Sequence, residues 1–184
     1  ENADSRIPLV FTGPASAADY FDQLDAFLVG CLGEDVRQFY QIIMDNPGAA
    51  ARAAVNGVAS VLEQRRTTQD AYGFNWSLQI PAALQTPFAA NHEDMAGLCL
   101  QETLPKHELA ANLRRLFSGI VAGNVKPDGV AAVEQHGPFI VSGAPHLMEL
   151  LDTLLESFVQ QGRMKLPGSR YIPCYQLSNP IEKA

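Results

Sequence analysis

Gln64-Arg65-Arg66-Thr67-Thr68-Gln69-Asp70-Ala71-Tyr72-Gly73-Phe74-Asn75-Trp76 separates two parts of the chain that read differently. It holds the only Trp, a paired Arg and two further aromatics. Before it, short apolar runs alternate with amphipathic helical patterns. After it come isolated strand patterns, Pro-rich turns and two long helical patterns. The stretch reads as a joint between two structural units and as a candidate ligand contact. Guanidinium forks bind phosphate oxygens in pairs, and Tyr72, Phe74 or Trp76 offers a face for a stacked base. The local reading of Arg65 and Arg66 is also open: cations at the end of a helix offset its negative dipole end, by roughly 0.3–1 kcal/mol.

Working toward the N-terminus, Asp45-Asn46-Pro47 predicts an N-cap with Pro in the first turn of a helix running to about Arg66. Its thin stripe of Ala50, Ala53, Ala54, Val58, Val61 and Leu62 predicts close packing. Residues 39–44, rich in β-branched and aromatic side chains, predict a strand. A short helical turn at 34–37 precedes it. Tyr20, Phe21, Leu24, Phe27, Leu28 and Cys31 share one helical face, with a Ser16–Asp19 capping box before it and Gly33 as its stop. Asp22 and Asp25 fall on the outer, solvated side of that helix. The first run, Ile7-Pro8-Leu9-Val10-Phe11, predicts a buried parallel strand ending at Thr12-Gly13-Pro14. Thr12 and Gly13 then lie where a parallel strand meets a helix, the edge at which open α/β sheets take ligands. A plain tight turn explains the same residues.

Working toward the C-terminus, Phe74–Ile80 alternates as a half-buried strand. Residues 82–94 read as a long loop and 95–101 as a second strand. Thr103 is expected to cap a helix carrying Leu109, Leu113, Leu116, Phe117, Ile120 and Val121, with Gly123 as its stop. Residues 128–136 read as a short helix closed by Gly137-Pro138, and 139–142 as a strand. Pro145 opens a helix with Leu147, Leu150, Leu151, Leu154, Leu155 and Phe158 on one face. Residues 171–177 read as the last strand, and the tail from Asn179 as frayed.

Composition narrows the function classes. The 184-residue chain is 47% apolar with a net charge of −7. An acidic chain is a poor general nucleic-acid binder, because that binding rests on phosphate neutralisation. No apolar run approaches the roughly 20 residues of a membrane span, and the polar start lacks a signal peptide, so a cytoplasmic protein with no membrane partner is expected. Cys31, Cys99 and Cys174 are far apart and read as core thiols. The four His form no i, i+4 pair, so no metal is expected. Arg114-Arg115 reads as a solvated helix face, and Arg163, Lys165 and Arg170 as a basic surface turn. No catalytic residue set is self-sufficient here.

Two groups of segments carry a resemblance. Pro8–Pro14, Asp19–Asp25 and Tyr40–Asp45 resemble the last third of a Lonely Guy (lysine-decarboxylase-like) Rossmann domain. Arg65-Arg66 with Asp70–Trp76, Phe117–Lys126, and Arg163–Ser169 with Tyr171–Tyr175 resemble the C-terminal domain of the bacterial pyrimidine/purine nucleotide 5′-monophosphate nucleosidases. The resemblance implies an α/β chain: the end of a Rossmann-like parallel sheet in residues 1–66, followed by an α+β regulatory and oligomerisation domain in 67–184. It implies a cytosolic homo-oligomer, using no metal or cofactor, that splits nucleoside 5′-monophosphates into free base and ribose 5-phosphate. The family's Pro-Gly-Gly-x-Gly-Thr-x-x-Glu loop is missing. Asn46-Pro47-Gly48-Ala49-Ala50 does not replace it, so the resemblance implies an N-terminal part of the same enzyme upstream. It also implies Thr12 and Gly13 as the rim of the substrate pocket, and Arg65 with Arg66 as phosphate contacts for the effector (p)ppGpp. The alternative is a non-catalytic module that dimerises through the stripes at 109–121 and 147–158.

Overall fold

In the computed structural model the described residues are 8–67 and 88–178, without the side chains of Gln64, Arg65, Thr67 and Pro167. The strand expected at 74–80, the aromatics of the joint and the tail from Asn179 lie outside them. The chain is mostly helical with short parallel sheets, an α/β arrangement. It divides into two compact units, whose described residues are 8–29 with 34–67, and 30–33 with 88–178.

The first unit follows the sequence closely. Strands β1 (Leu9–Gly13) and β2 (Tyr40–Met44) pair in parallel, with Leu9 opposite Tyr40 and Gly13 opposite Met44. Between them run a 3-10 turn (Ala15–Ala17), helix α1 (Ala18–Leu32) and a second 3-10 turn (Glu34–Phe39). Gly33 ends α1 at φ 90°, a conformation that suits a residue without Cβ. The Ser16–Asp19 box does not cap the entry. The chain enters the 3-10 turn from extended Pro14 with no side-chain cap, and the Pro14 carbonyl accepts the Ala17 amide at 2.8 Å. Helix α2 (Pro47–Thr67) starts as expected, with Asn46 Oδ1 accepting the Ala49 amide at 2.9 Å. A Cβ on Gly57 would lie 2.5 Å from the Pro8 side chain, so α2 approaches β1 through its small residues. Neither strand is buried throughout. Leu9 is 48% exposed, because this sheet has only two described strands to share cover.

The second unit holds a three-stranded parallel sheet in the order β3-β4-β5 (Cys99–Leu100, Phe139–Gly143, Tyr175–Leu177). Cys99 lies opposite Ser142, and Phe139 opposite Tyr175. Helix α3 (His92–Ala96) replaces the end of the expected loop and the start of the expected strand. Asn91 decides this: its Oδ1 accepts the Asp94 amide at 2.8 Å and its Nδ2 donates to the Asp94 carboxylate at 2.7 Å. Met95 is therefore helical and fully buried, against Gly119, where a Cβ would collide with its sulfur at 2.2 Å.

Helix α4 (Lys106–Val125) has Pro105 at its N-cap and no side-chain cap, so Thr103 does not serve. Gly123 does not stop it either. It sits inside the helix because Cys174 Sγ and the Phe139 ring stand 2.7 and 2.8 Å from where its Cβ would be. Helix α5 (Pro127–His136) ends at Gly137, φ 81°. Gly129 of α5 meets the Ala122 carbonyl so closely that a Cβ would lie 2.4 Å from that oxygen. Helix α6 (Pro145–Gln160) then crosses with Leu147, Leu151, Leu154 and Leu155 buried. The last strand is shorter than expected, running only Tyr175–Leu177, although the Cys174 carbonyl still accepts the Phe139 amide at 2.9 Å; the Tyr171 and Tyr175 hydroxyls both donate to Asp152, at 2.8 and 2.7 Å.

Leu100, Leu109, Leu116, Ile120, Phe139, Val141, Leu151 and Leu155 are buried to 0% exposure. The apolar stripes at 109–121 and 147–158 are thus mostly consumed by this unit's own core.

Candidate functional site

Because β1 and β2 run parallel, Thr12-Gly13 and Asp45-Asn46 come to the same edge, at the carboxyl ends of both strands. The Gly13 carbonyl accepts the Asp45 amide at 2.8 Å, and Asp45 takes a positive φ of 53° to make the turn. Thr12 is exposed. Gly13 is half-buried, and a Cβ there would meet the Phe21 ring at 3.2 Å and Ala17 at 3.4 Å. Its small size therefore serves the approach of α1 whether or not a ligand binds.

One cation of this edge escaped the sequence reading. The Arg52 guanidinium folds back along the first turns of α2, with Nη1 3.4 Å from where a Gly48 Cβ would sit. The spacing of Gly48 and Arg52, four apart on a helix, was the available signal.

Arg66 is exposed and stands 3.6 Å from the Glu63 carboxylate. The Arg65 side chain lies outside the described residues, as do Tyr72, Phe74 and Trp76. Helix α2 has 21 residues, so at about 1.5 Å per residue its two ends are roughly 30 Å apart. Thr12 and Gly13 flank its start and Arg66 its end. The structure does not gather the two sets of candidate residues into one site.

Asp25 corrects another expectation. It is not a freely solvated carboxylate: Arg37 grips it through Nε and Nη2, the latter at 2.6 Å, and the Tyr40 hydroxyl donates to it at 2.6 Å. Arg37 also reaches Glu34. The Arg37 bond, then the Tyr40 bond, hold the Asp25 carboxyl below the usual carboxylate range. Burial, then the bond to Asp25, push the Tyr40 hydroxyl up to about 12. The cluster joins α1 to the amino end of β2, the end away from Thr12 and Gly13, and reads as a structural tie.

Arg115 also departs from expectation. Its Nε is buried with no hydrogen-bond partner, whereas Arg114 beside it is exposed. Arg163 donates to Gln161 at 3.1 Å, and Lys165 and Arg170 are exposed. Among the described residues, no group of three His, Cys, Asp or Glu could hold a metal ion, and no helix is long and apolar enough to cross a membrane. All three cysteines are free; Cys31 and Cys174 are buried, and burial pushes their thiols up to about 12 and about 11.

The profile of the C-terminal region of pyrimidine/purine nucleotide monophosphate nucleosidases matches residues 58–178. The chain belongs to this nucleosidase family. Pyrimidine/purine nucleotide 5′-monophosphate nucleosidases of Escherichia coli strains K12, O6:H1 and O157:H7 are each 51% identical to it over 176 residues. That match takes in 96% of this chain but 39% of each relative, so the chain spans well under half the length of these nucleosidases. The family profile begins inside α2. It includes Arg65, Arg66 and residues 88–178 of the second unit, and excludes Thr12 and Gly13.

Proposed function

We propose that this chain is a C-terminal portion of a hydrolase that cleaves the N-glycosidic bond of nucleoside 5′-monophosphates, giving free base and ribose 5-phosphate. The observation that carries the reading is the 51% identity across 96% of the chain to proteins so named. In this reading residues 1–66 are the end of a Rossmann-like nucleosidase domain, and 67–184 a C-terminal regulatory and oligomerisation domain. Thr12 and Gly13 border the nucleotide pocket. Their position at the carboxyl edge of two parallel strands, with Thr12 exposed, supports this. The phosphate cradle and the carboxylate that serves the sugar centre belong to an N-terminal part of the same cytoplasmic homo-oligomer.

Arg65 and Arg66 contact the phosphates of a (p)ppGpp effector. Their place at the far end of α2 from Thr12 and Gly13 supports an effector site separate from the substrate pocket.

The test compares two proteins on a nucleoside 5′-monophosphate. A protein that includes the upstream part releases ribose 5-phosphate, and residues 1–184 alone release none. Release by residues 1–184 alone refutes the division of labour. For the effector, calorimetry with (p)ppGpp on Arg65→Ala and Arg66→Ala is expected to show affinity reduced about tenfold or more, the scale of one lost charge-assisted hydrogen bond. Unchanged affinity in both variants removes the arginines from the site.

A further inference from the structure

The second unit contains a cavity of about 420 Å³ that the nucleosidase reading does not use. It opens where all three strands of the parallel sheet end: Gln101 follows β3, Ser142 and Gly143 close β4, and Leu177 with Ser178 closes β5. Pro145, the first residue of α6, completes it. Ligands of open parallel sheets bind at this edge, and the volume lies in the range of small-molecule sites.

The lining fixes the chemistry of the occupant. Among the described residues, no Lys, Arg, His, Asp or Glu lines it. The start of α6 is poorly set up for an anion. Pro145 has no amide hydrogen, and the amides of Leu147 and Met148 turn back to the Ala144 carbonyl at 3.1 and 3.3 Å. A charged ligand would find at most the His146 amide there and no charged side chain among the described residues of the lining, so its desolvation would be poorly offset. What remains is neutral polarity beside apolar surface. The exposed Gln101 amide offers a donor and an acceptor side by side and makes no side-chain hydrogen bond among the described residues. Ser142 and Ser178 supply hydroxyls, the latter weakly engaged with the Val141 carbonyl at 3.4 Å. Leu177 and Pro145 supply apolar walls.

We propose that this cavity binds a small uncharged molecule that combines a planar, amide-like heterocycle edge with hydroxyl groups, the chemistry of a nucleoside. Gln101 pairs with the heterocycle edge, Leu177 and Pro145 flank its face, and Ser142 and Ser178 take the hydroxyls. The claim concerns binding alone and stands apart from hydrolysis, so it is read without an activity assay.

The experiment titrates the isotope-labelled 184-residue chain with adenosine, uridine and adenosine 5′-monophosphate and follows backbone and Gln side-chain resonances. Saturable shifts are expected at Gln101 and Ser178 with at least one nucleoside. Gln101→Ala weakens binding about fivefold, the scale of a lost neutral hydrogen bond, and Ser142→Ala, which removes only the hydroxyl, does so less. The 5′-monophosphate binds no more tightly than adenosine. Three results overturn the proposal: no saturable shift with either nucleoside, shifts indifferent to both variants, or a monophosphate preferred about tenfold or more. None of them bears on ribose 5-phosphate release, so this proposal can fail while the nucleosidase reading survives.

Discussion

The two units are built on the same motif, parallel strands joined through helices, yet they complete it differently. In the second, β4 lies between β3 and β5, and Phe139 and Val141 are wholly buried. In the first, β1 and β2 have only each other among the described strands, and Leu9, Val55 and Val58 stand 48%, 68% and 49% exposed. A central strand whose Phe139 and Val141 face is fully covered, even with Ile140 on the other face 44% exposed, makes a core in which each methylene on that side counts. In the first unit the Asp25–Arg37–Tyr40 tie adds to a smaller buried set that includes Phe27, Tyr40 and Ala50. The units should therefore respond differently to cavities, to alkali and to acid.

The largest contrast is expected from truncation of apolar side chains. Leu151→Ala should cost the second unit about 2–5 kcal/mol, because a fully buried Leu leaves a cavity that its neighbours fill only in part. Urea denaturation with hydrogen exchange resolved by residue measures it. A cost near zero would mean that the second core is loose.

Next comes Asp152→Ala, which leaves the Tyr171 and Tyr175 hydroxyls without their acceptor, at about 1–3 kcal/mol. Burial first, and the bond to Asp152 second, hold both tyrosines protonated above their ordinary value near 10. The unfolded chain gives up those protons as the pH passes about 10, whereas the folded chain keeps them. Their stabilisation is therefore complete below that pH and declines as pH rises beyond it. Tyr171→Phe with Tyr175→Phe should flatten the alkaline decline in denaturation curves taken at several pH values.

Acid sharpens the comparison from the other side. Asp25 is held below its ordinary 3.8 by Arg37, then Tyr40. Its contribution is present above about pH 4 and is lost as pH falls through the lowered value. Asp25→Asn should remove that acid-limb slope from the exchange of first-unit amides and leave second-unit amides unchanged. The smallest effect is assigned to Val58→Ser, within about 0.5 kcal/mol, since its side chain is half in water already. A larger loss would show that something covers this face of α2 in solution.

Most helices were legible because their signals are local and repeat. Pro145, the Leu147–Leu155 spacing and Gly162 mark one helix unaided, and Asn46-Pro47 marks another. Several failures involve partners distant in sequence. Gly123 looks like a helix stop until Phe139 and Cys174 are seen where its Cβ would go. Asp25 looks solvated until Arg37, twelve residues on, folds back to it. Met95 opens an apolar run that reads as strand, although the local Asn91–Asp94 cap starts a helix there. At the candidate sites, Thr12 and Gly13 were placed correctly at a strand end by the β1 pattern alone. The predicted helix from Pro47 to about Arg66 already implies their wide separation from Arg66, whereas the Gly48–Arg52 spacing alone does not say that Arg52 turns back to this edge.

The glycine at 123 also makes the chain its own reporter. Cys174 Sγ fills the notch that this residue leaves, and Asn124 Nδ2 lies 3.3 Å from the same sulfur. A thiol so enclosed, with few thiolates at neutral pH, can meet an alkylating reagent only when the end of α4 and the approach to β5 part. Its labelling rate, against that of the less buried Cys99, would time the breathing of that seam without any added probe.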